Sequence, residues 1–238
     1  MKKSNIEPEV LFEDNHIIIL NKHASEIVQG DKTGDEPLSE TVKQYLKTKY
    51  HKPGEVFLGV VHRLDRPVSG ALIFARTSKA LSRLNAMLRD GQIHKKYWAI
   101  VKNPPPKPSD RLSGYIFRNE RKNKSFVYEK PIPGSQNAEL TYEIIDSIDR
   151  FTLVQIDLLT GRHHQIRAQL ASIGCPVKGD LKYGYSRSNP GGFIHLHARE
   201  LQLCHPVRKV PLTIIAPLPK ERLWDLFDVR QPVQTLHP

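Results

Sequence analysis

Residues 58–76, LGVVHRLDRPVSGALIFAR, contain two apolar runs joined by a short charged segment. The runs at 58–61 and 71–75 have the length and composition of buried β-strands. Between them, Asp65 stands among arginines in a segment that ends with proline, serine and glycine. Because opposite charge nearby favours the ionised form of a carboxylate, Asp65 is a candidate nucleophile or general base. The pattern also fits a tight turn in which Asp65 makes only a structural ion pair with a flanking arginine.

Length and composition describe an ordinary folded chain. Of the 238 residues, 39% are hydrophobic and 26% are charged, which allows a sizeable core in one large domain or in two lobes that share a sheet. No apolar run reaches the ~20 residues that a membrane helix needs, and residues 1–8 lack the apolar core of a signal peptide. We therefore expect a cytoplasmic protein with no membrane association. In that setting Cys175 and Cys204 are expected to be free thiols.

The charge balance is basic, with 36 lysines and arginines against 25 acidic residues and a formal net charge of +11. An excess of this size attracts polyanions, and the release of counterions makes nucleic acid the expected partner. Basic charge alone is weak support, since many soluble proteins have a high isoelectric point without binding nucleic acid.

Two other classes of chemistry find no support in the sequence. The histidines and cysteines show no C-x-x-C pair or H-E-x-x-H helix, so we predict no metal site. The tetrapeptide at 62–65, HRLD, differs from the His-Arg-Asp-Leu of a kinase loop by the exchange of its last two residues. The chain also lacks a glycine-rich phosphate loop and a D-F-G segment, which argues against a phosphotransferase.

Three blocks resemble the motifs of one family, in the same order. Residues 62–70, HRLDRPVSG, match the pattern H-R-L-D-x-x-[T/V]-S-G. Residues 94–99, HKKYWA, are similar to a K-x-Y-x-A strand, and residues 160–167, TGRHHQIR, run on to GDLKYG at 179–184. Together these blocks resemble the RluA-type pseudouridine synthases over about residues 10–220.

The resemblance implies an α+β fold with a mostly antiparallel, bent sheet in two lobes and flanking helices. It implies that residues 1–238 form a single catalytic domain that isomerises specific uridines in tRNA or rRNA, without a cofactor and as a monomer. Only residues 1–9 precede the first expected strand, so we expect no N-terminal RNA-binding domain of the kind that many relatives carry. The alternative is an RNA-binding protein without catalysis, which explains the charge but not an aspartate in a basic groove.

The resemblance also assigns roles to individual residues. Asp65 is implied to be the catalytic carboxylate, acting at the ribose or on the base, and Arg167 to be the arginine that pairs with it. Arg63 is implied to fill the gap left by the extruded base, on which Tyr97 would stack. A buried core tyrosine remains the alternative for Tyr97. The other predicted RNA-binding residues are His62, Arg66, Arg162, Gln165 and Leu196.

Local patterns predict further elements that the structure can test. Ser78 is expected to cap a helix over 78–89, and a closing helix over 220–227 is expected to pack Leu223, Leu226 and Phe227. Alternation along a strand over 93–101 places Tyr97 on one face and Trp98 on the other. His23 stands where the family has proline, which leaves the shape and role of the loop after residue 22 open.

Overall fold

The computed structural model describes residues 7–30 and 34–227, within which eleven strands form a single sheet flanked by four helices. Residues 1–6, on which the expectations about a signal peptide and an N-terminal domain partly rest, lie outside the described residues. The strands are β1 (Val10–Glu13), β2 (Ile17–Lys22), β3 (Gly59–Val60), β4 (Ser69–Ala75), β5 (Ile93–Val101), β6 (Ser109–Asn119), β7 (Lys124–Tyr128), β8 (Gln136–Ile148), β9 (Phe151–Leu158), β10 (Leu196–Cys204) and β11 (Pro211–Ile215). The helices are α1 (Leu38–Lys49), α2 (Ser78–Arg89), α3 (Gln165–Ser172) and α4 (Arg222–Asp225).

The strand order is β1-β2-β4-β10-β5-β9-β8-β6-β7, with β3 paired to β4 and β11 paired to β10. Every pair of these strands is antiparallel except β4 with β10, which run parallel near the middle of the sheet. The predicted α+β class with a mostly antiparallel sheet is confirmed.

Both faces of the sheet are covered because successive strand residues point to opposite sides. Along β2, Ile18 and Leu20 join one apolar cluster, whereas Ile17 and Ile19 join another. Helix α1 packs its buried residues into the first cluster, and α2 packs its own into the second. The fully buried β4 therefore holds the loop that precedes it between two cores.

Gly70 makes the parallel contact of β4 with β10 possible. Its φ is +114°, a value that L residues rarely adopt, and it pairs with Ala198. A Cβ atom at this position would lie 2.3 Å from the carbonyl oxygen of Ala198. Any larger residue at position 70 would force β4 away from β10. Gly70 therefore allows the two strands to pair directly after the charged segment.

Two local predictions are wrong in detail. Helix α2 is capped by Thr77, whose side chain accepts a hydrogen bond from the Ala80 N–H, and Ser78 is already the first helical residue. The last helix is only one turn long. Leu223 and Phe227 are buried as predicted, but Leu226 is exposed and Trp224 is buried. Both errors concern helix ends, where boundaries differ by one or two residues.

Two expectations about the chain as a whole can be compared with the structure. Cys175 is buried, Cys204 is exposed, and both are free thiols, as predicted. None of the helices in the described part of the chain is long and apolar enough to cross a membrane.

Candidate active site

Asp65 lies in the loop between β3 and β4, at the mouth of the parallel pair. The Val68 N–H donates to the carbonyl oxygen of Asp65 over 3.0 Å, which closes the turn. The Asp65 side chain is about a quarter exposed, with a relative accessibility of 26%. The carboxylate is thus held at a fixed point of the backbone but remains open to a ligand.

Arg167, from α3, is the partner of Asp65. Its Nη1 donates to Asp65 Oδ2 over 2.8 Å, while its Nε and Nη2 donate to both oxygens of Asp180, over 2.6 and 2.9 Å. Burial alone would lower the pKa of Arg167, but the two carboxylates outweigh it and raise that pKa. Arg167 therefore stays charged and is aimed at Asp65 by a bidentate contact on its other side.

The turn is not stabilised by the local ion pair that the sequence pattern allowed. Arg66 pairs instead with Asp35 and donates from Nε to the Ser25 carbonyl oxygen over 3.1 Å. Arg63 is exposed and makes no ion pair within the described residues. Asp65 is thus left to a partner that lies 102 positions away in the sequence.

Lys22 connects the loop after β2, whose role the sequence left open, to the turn that carries Asp65. Its side chain is fully buried, and Nζ donates to the carbonyl oxygens of Val68, His23 and Arg66 over 2.7, 2.9 and 3.3 Å. Burial lowers the pKa of Lys22 to about 8. These bonds tie the loop after β2 to the turn that carries Asp65, without a proline at position 23.

His164 lies between Tyr183 and Asp65. The Ser125 N–H donates to the Tyr183 hydroxyl over 2.8 Å, and that hydroxyl and His164 Nδ1 are hydrogen-bonded to each other over 3.0 Å. The other ring nitrogen, Nε2, lies 3.6 Å from Asp65 Oδ2. Burial, followed by the charge of Arg167, lowers the pKa of His164 to about 2. Asp65 thus has a neutral imidazole ring as its second neighbour.

A cavity of about 510 Å³ opens beside Asp65. Tyr97, from β5, and Leu196, from β10, are both buried and form part of its apolar wall. Trp98 lies in a different apolar cluster from Tyr97, on the opposite face of the sheet, as the alternation predicted. The cavity therefore combines an aromatic surface with one carboxylate.

The structure brings most of the predicted site residues together. The cavity is lined by Asp65, Tyr97, Arg167, His62, Arg63, Arg162, Gln165 and Leu196. Arg66 is not among the lining residues, because its guanidinium is turned toward Asp35. The Gln165 amide is used within the protein, where its Oε1 accepts from Thr160 and from the Arg162 N–H.

Asp180 is a functional residue that sequence reasoning missed. It lies in the block at 179–184 that carried part of the resemblance, but nothing local shows what it contacts. Its side chain is 1% exposed, and both oxygens bind Arg167. A buried acidic residue in a matched block is the signal that could have identified it, because a buried charge needs a partner.

Comparisons with known proteins show which family this chain resembles. The model of the RNA pseudouridylate synthase family matches residues 16–172. Ribosomal large subunit pseudouridine synthase C of Vibrio cholerae is 30% identical, in an alignment that covers 97% of this chain and 72% of that protein. Ribosomal large subunit pseudouridine synthase D of Xylella fastidiosa is also 30% identical, with coverage of 95% and 71%. The structure of human RNA Pseudouridylate Synthase Domain Containing 4 has the same fold, with a TM-score of 0.74, 24% identity and 89% of each chain covered.

Proposed function

The chain belongs to the RNA pseudouridylate synthase family and is an RNA pseudouridine synthase, and we propose that Asp65 is its catalytic carboxylate. One observation carries the assignment. Asp65 Oδ2 is bound by Arg167, whereas Oδ1 has no hydrogen-bond or ion-pair partner among residues 7–30 and 34–227. A carboxylate held by one oxygen and free at the other is oriented for reaction and keeps a lone pair available for it.

Arg167 positions this carboxylate in our proposal. Its two bonds to Asp180 fix the guanidinium plane, so the third bond to Asp65 has a fixed direction. The ribose and the base of the target uridine would both lie within the cavity that Asp65 lines.

Tyr97 and Leu196 would hold the uracil once it leaves the RNA stack. An unstacked base needs an apolar or aromatic surface, and both side chains line the cavity. Extruding a base costs a few kcal/mol, which a side chain that fills the gap can offset. Arg63 is exposed and is two residues from Asp65, so we assign that role to it.

The remaining predicted contacts divide into two groups. We propose that His62 and Arg162 meet RNA at the cavity wall. Gln165 instead braces the turn before α3 through Thr160 and Arg162. Arg66 would meet RNA only outside the cavity, since it points toward Asp35.

We propose large-subunit ribosomal RNA as the substrate, because relatives that match most of this chain are named for it. One continuous sheet that links residues 10 to 215 supports a single catalytic domain.

Tritium release tests the proposal directly. Forming a carbon–carbon bond between the ribose and C5 of uracil displaces the hydrogen at C5, so RNA made with tritium at C5 of uridine releases label to water. Purified wild-type protein should release label from an unmodified large-subunit rRNA transcript, and Asp65→Asn should not. If the wild type binds the RNA but releases no label from rRNA or from tRNA, the enzymatic assignment fails and the RNA-binding alternative stands.

A further inference from the structure

Lys95 is a cation in the cavity wall to which the chemistry above gives no role. It lies on β5 two residues before Tyr97, and both side chains line the cavity because residues i and i+2 of a strand share a face. Lys95 is partly buried, and within the described residues it has no hydrogen bond or ion pair. The cavity therefore contains an ammonium group without a partner.

The neighbours of Lys95 do not compensate its charge. A Cβ atom on Gly161 would lie 3.5 Å from Nζ, so the ammonium lies against the bare backbone of that turn. His62 is nearby but neutral, because its Nε2 accepts from the Ile73 N–H over 3.3 Å. Burial and the charge of Lys95 lower the pKa of His62 to about 3. Holding an unpaired ammonium in this place costs folding free energy, which a ligand anion would recover.

Lys96, the next residue on the strand, has different surroundings from Lys95. Lys96 points to the opposite face, where it stands across from Asp157 on β9 and Glu200 on β10. Lys96 therefore has a carboxylate-bearing residue opposite it on each neighbouring strand, whereas the residue opposite Lys95 on β10 is Leu201. Lys95 and Lys96 thus carry the same charge on the same strand, but only Lys95 faces the cavity.

We propose that Lys95 binds a backbone phosphate of the substrate RNA next to the uridine whose base lies on Tyr97. This inference rests on the proposed function, since it places that base on Tyr97. Two residues along a strand span roughly 6.6 Å, which separates the aromatic surface from the ammonium by about the size of one sugar. An ammonium binds phosphate as a point charge. A base that is held by its ring face leaves its own backbone phosphate free to contact a second side chain, here Lys95.

The test compares Lys95→Met with Lys96→Met, a matched variant with the same change in net charge. The probe is a fluorescent single-stranded oligouridylate, whose bases need no extrusion from a duplex. Affinity is measured over a range of salt concentrations. Lys95→Met should reduce the slope of log affinity against log salt by about 0.7, the contribution of one phosphate contact on a single strand, whereas Lys96→Met should leave it at the wild-type value.

Melting temperature separates this role from a structural one. Removing an unpaired ammonium should leave the melting temperature of Lys95→Met unchanged or higher, whereas loss of a structural contact would lower it. If Lys95→Met melts lower, Lys95→Arg keeps the charge and should retain the wild-type slope. The proposal is overturned if Lys95→Arg loses the slope, if Lys95→Met and Lys96→Met share one slope, or if Lys95→Met loses affinity with no change of slope. None of these measurements depends on turnover, so a failure of the catalytic assignment would be seen separately.

Discussion

Asp65 and Asp180 bind the same arginine in different ways. The Asp180 side chain is 1% exposed and uses both oxygens, whereas the Asp65 side chain is 26% exposed and uses one. Asp180 lies just before a one-turn helix over Leu181–Tyr183, and Asp65 lies in the loop between β3 and β4. The carboxylate of Asp180 therefore holds Arg167 in place, whereas the carboxylate of Asp65 contacts the same arginine and remains open to a ligand.

The difference teaches where rigidity is needed at this site. A guanidinium held at two points by a buried carboxylate cannot turn away, so its remaining donor gives Asp65 a fixed partner. Exposure on the Asp65 side admits the substrate, and burial on the Asp180 side excludes water. Substitutions on the two sides should consequently have opposite effects on activity and on stability.

Asp65→Asn should have the largest effect, on activity. The amide keeps the shape of the side chain but removes the negative charge that a nucleophile or a general base needs, so kcat should fall by at least ~10⁴-fold. The melting temperature should change little, and RNA affinity should persist or rise, because a negative charge leaves a basic cavity. Tritium release, thermal melting and RNA binding of the same preparation provide the three measurements. A folded Asp65→Asn protein with kcat within about tenfold of wild type would remove Asp65 from the catalytic role.

Asp180→Asn should reverse that pattern. It leaves the buried Arg167 charge without its bidentate partner, which should lower the free energy of unfolding by about 3–5 kcal/mol. The folded fraction should lose less activity than Asp65→Asn does, because Asp65 itself is intact. Urea unfolding measures the stability change, and Asp35→Asn is the matched control, since it removes a carboxylate from the exposed pair with Arg66. That control should cost less than about 1 kcal/mol. Equal losses in the two variants would contradict a structural role for Asp180.

Much of this site could be predicted from sequence, and the two aspartates show where prediction stopped. Alternation along β5 correctly separated Tyr97 from Trp98, and resemblance gave the contact of Asp65 with Arg167. The second contact of Arg167, with Asp180, depends on how α3 packs against the turn that follows it, and no local pattern encodes that packing. The parallel pairing of Gly70 with Ala198 joins residues far apart in the chain in the same way.

Polar groups were harder to predict than apolar ones. The burial of an apolar residue follows from its position in a strand or helix, whereas a charged residue can turn toward any partner within reach. Arg66 was expected at the site but turns to Asp35, and Lys22 was given no role but ties two loops together. Which group a charged side chain contacts depends on elements that are distant in the sequence and are brought near it only by folding.

Substitutions of Tyr97 test the aromatic part of the cavity that Asp65 also lines. If the ring face holds the extruded base, Tyr97→Leu should weaken binding of the target RNA by about 1–3 kcal/mol, because it keeps apolar volume but removes the aromatic face. Tyr97→Phe should bind as the wild type does, and Tyr97→Ala should lose stability as well as binding, because the side chain is buried. RNA affinity and melting temperature of all three variants check this. Wild-type affinity in Tyr97→Leu would leave Tyr97 as a core residue only.

The smallest effect concerns the neutral neighbour on the Asp65 side. The pKa of His164 is lowered to about 2 in the folded protein, whereas an unperturbed histidine titrates near 6.5. Below that pH the unfolded chain binds a proton that the folded chain does not, so the wild type loses stability as the pH falls. Between pH 7 and pH 5 this one group should cost about 2 kcal/mol, and His164→Gln should be spared that part of the loss. The free energy of unfolding of both proteins at both pH values gives the answer. Both carry His163→Gln, because the His163 ring stacks on His164 with ring centroids 3.7 Å apart, and the remaining histidines are common to the two and cancel in the difference. An equal loss of unfolding free energy in wild type and variant would mean that His164 is protonated in the folded state. Asp65 would then have a second cationic neighbour, whereas Asp180 has only Arg167.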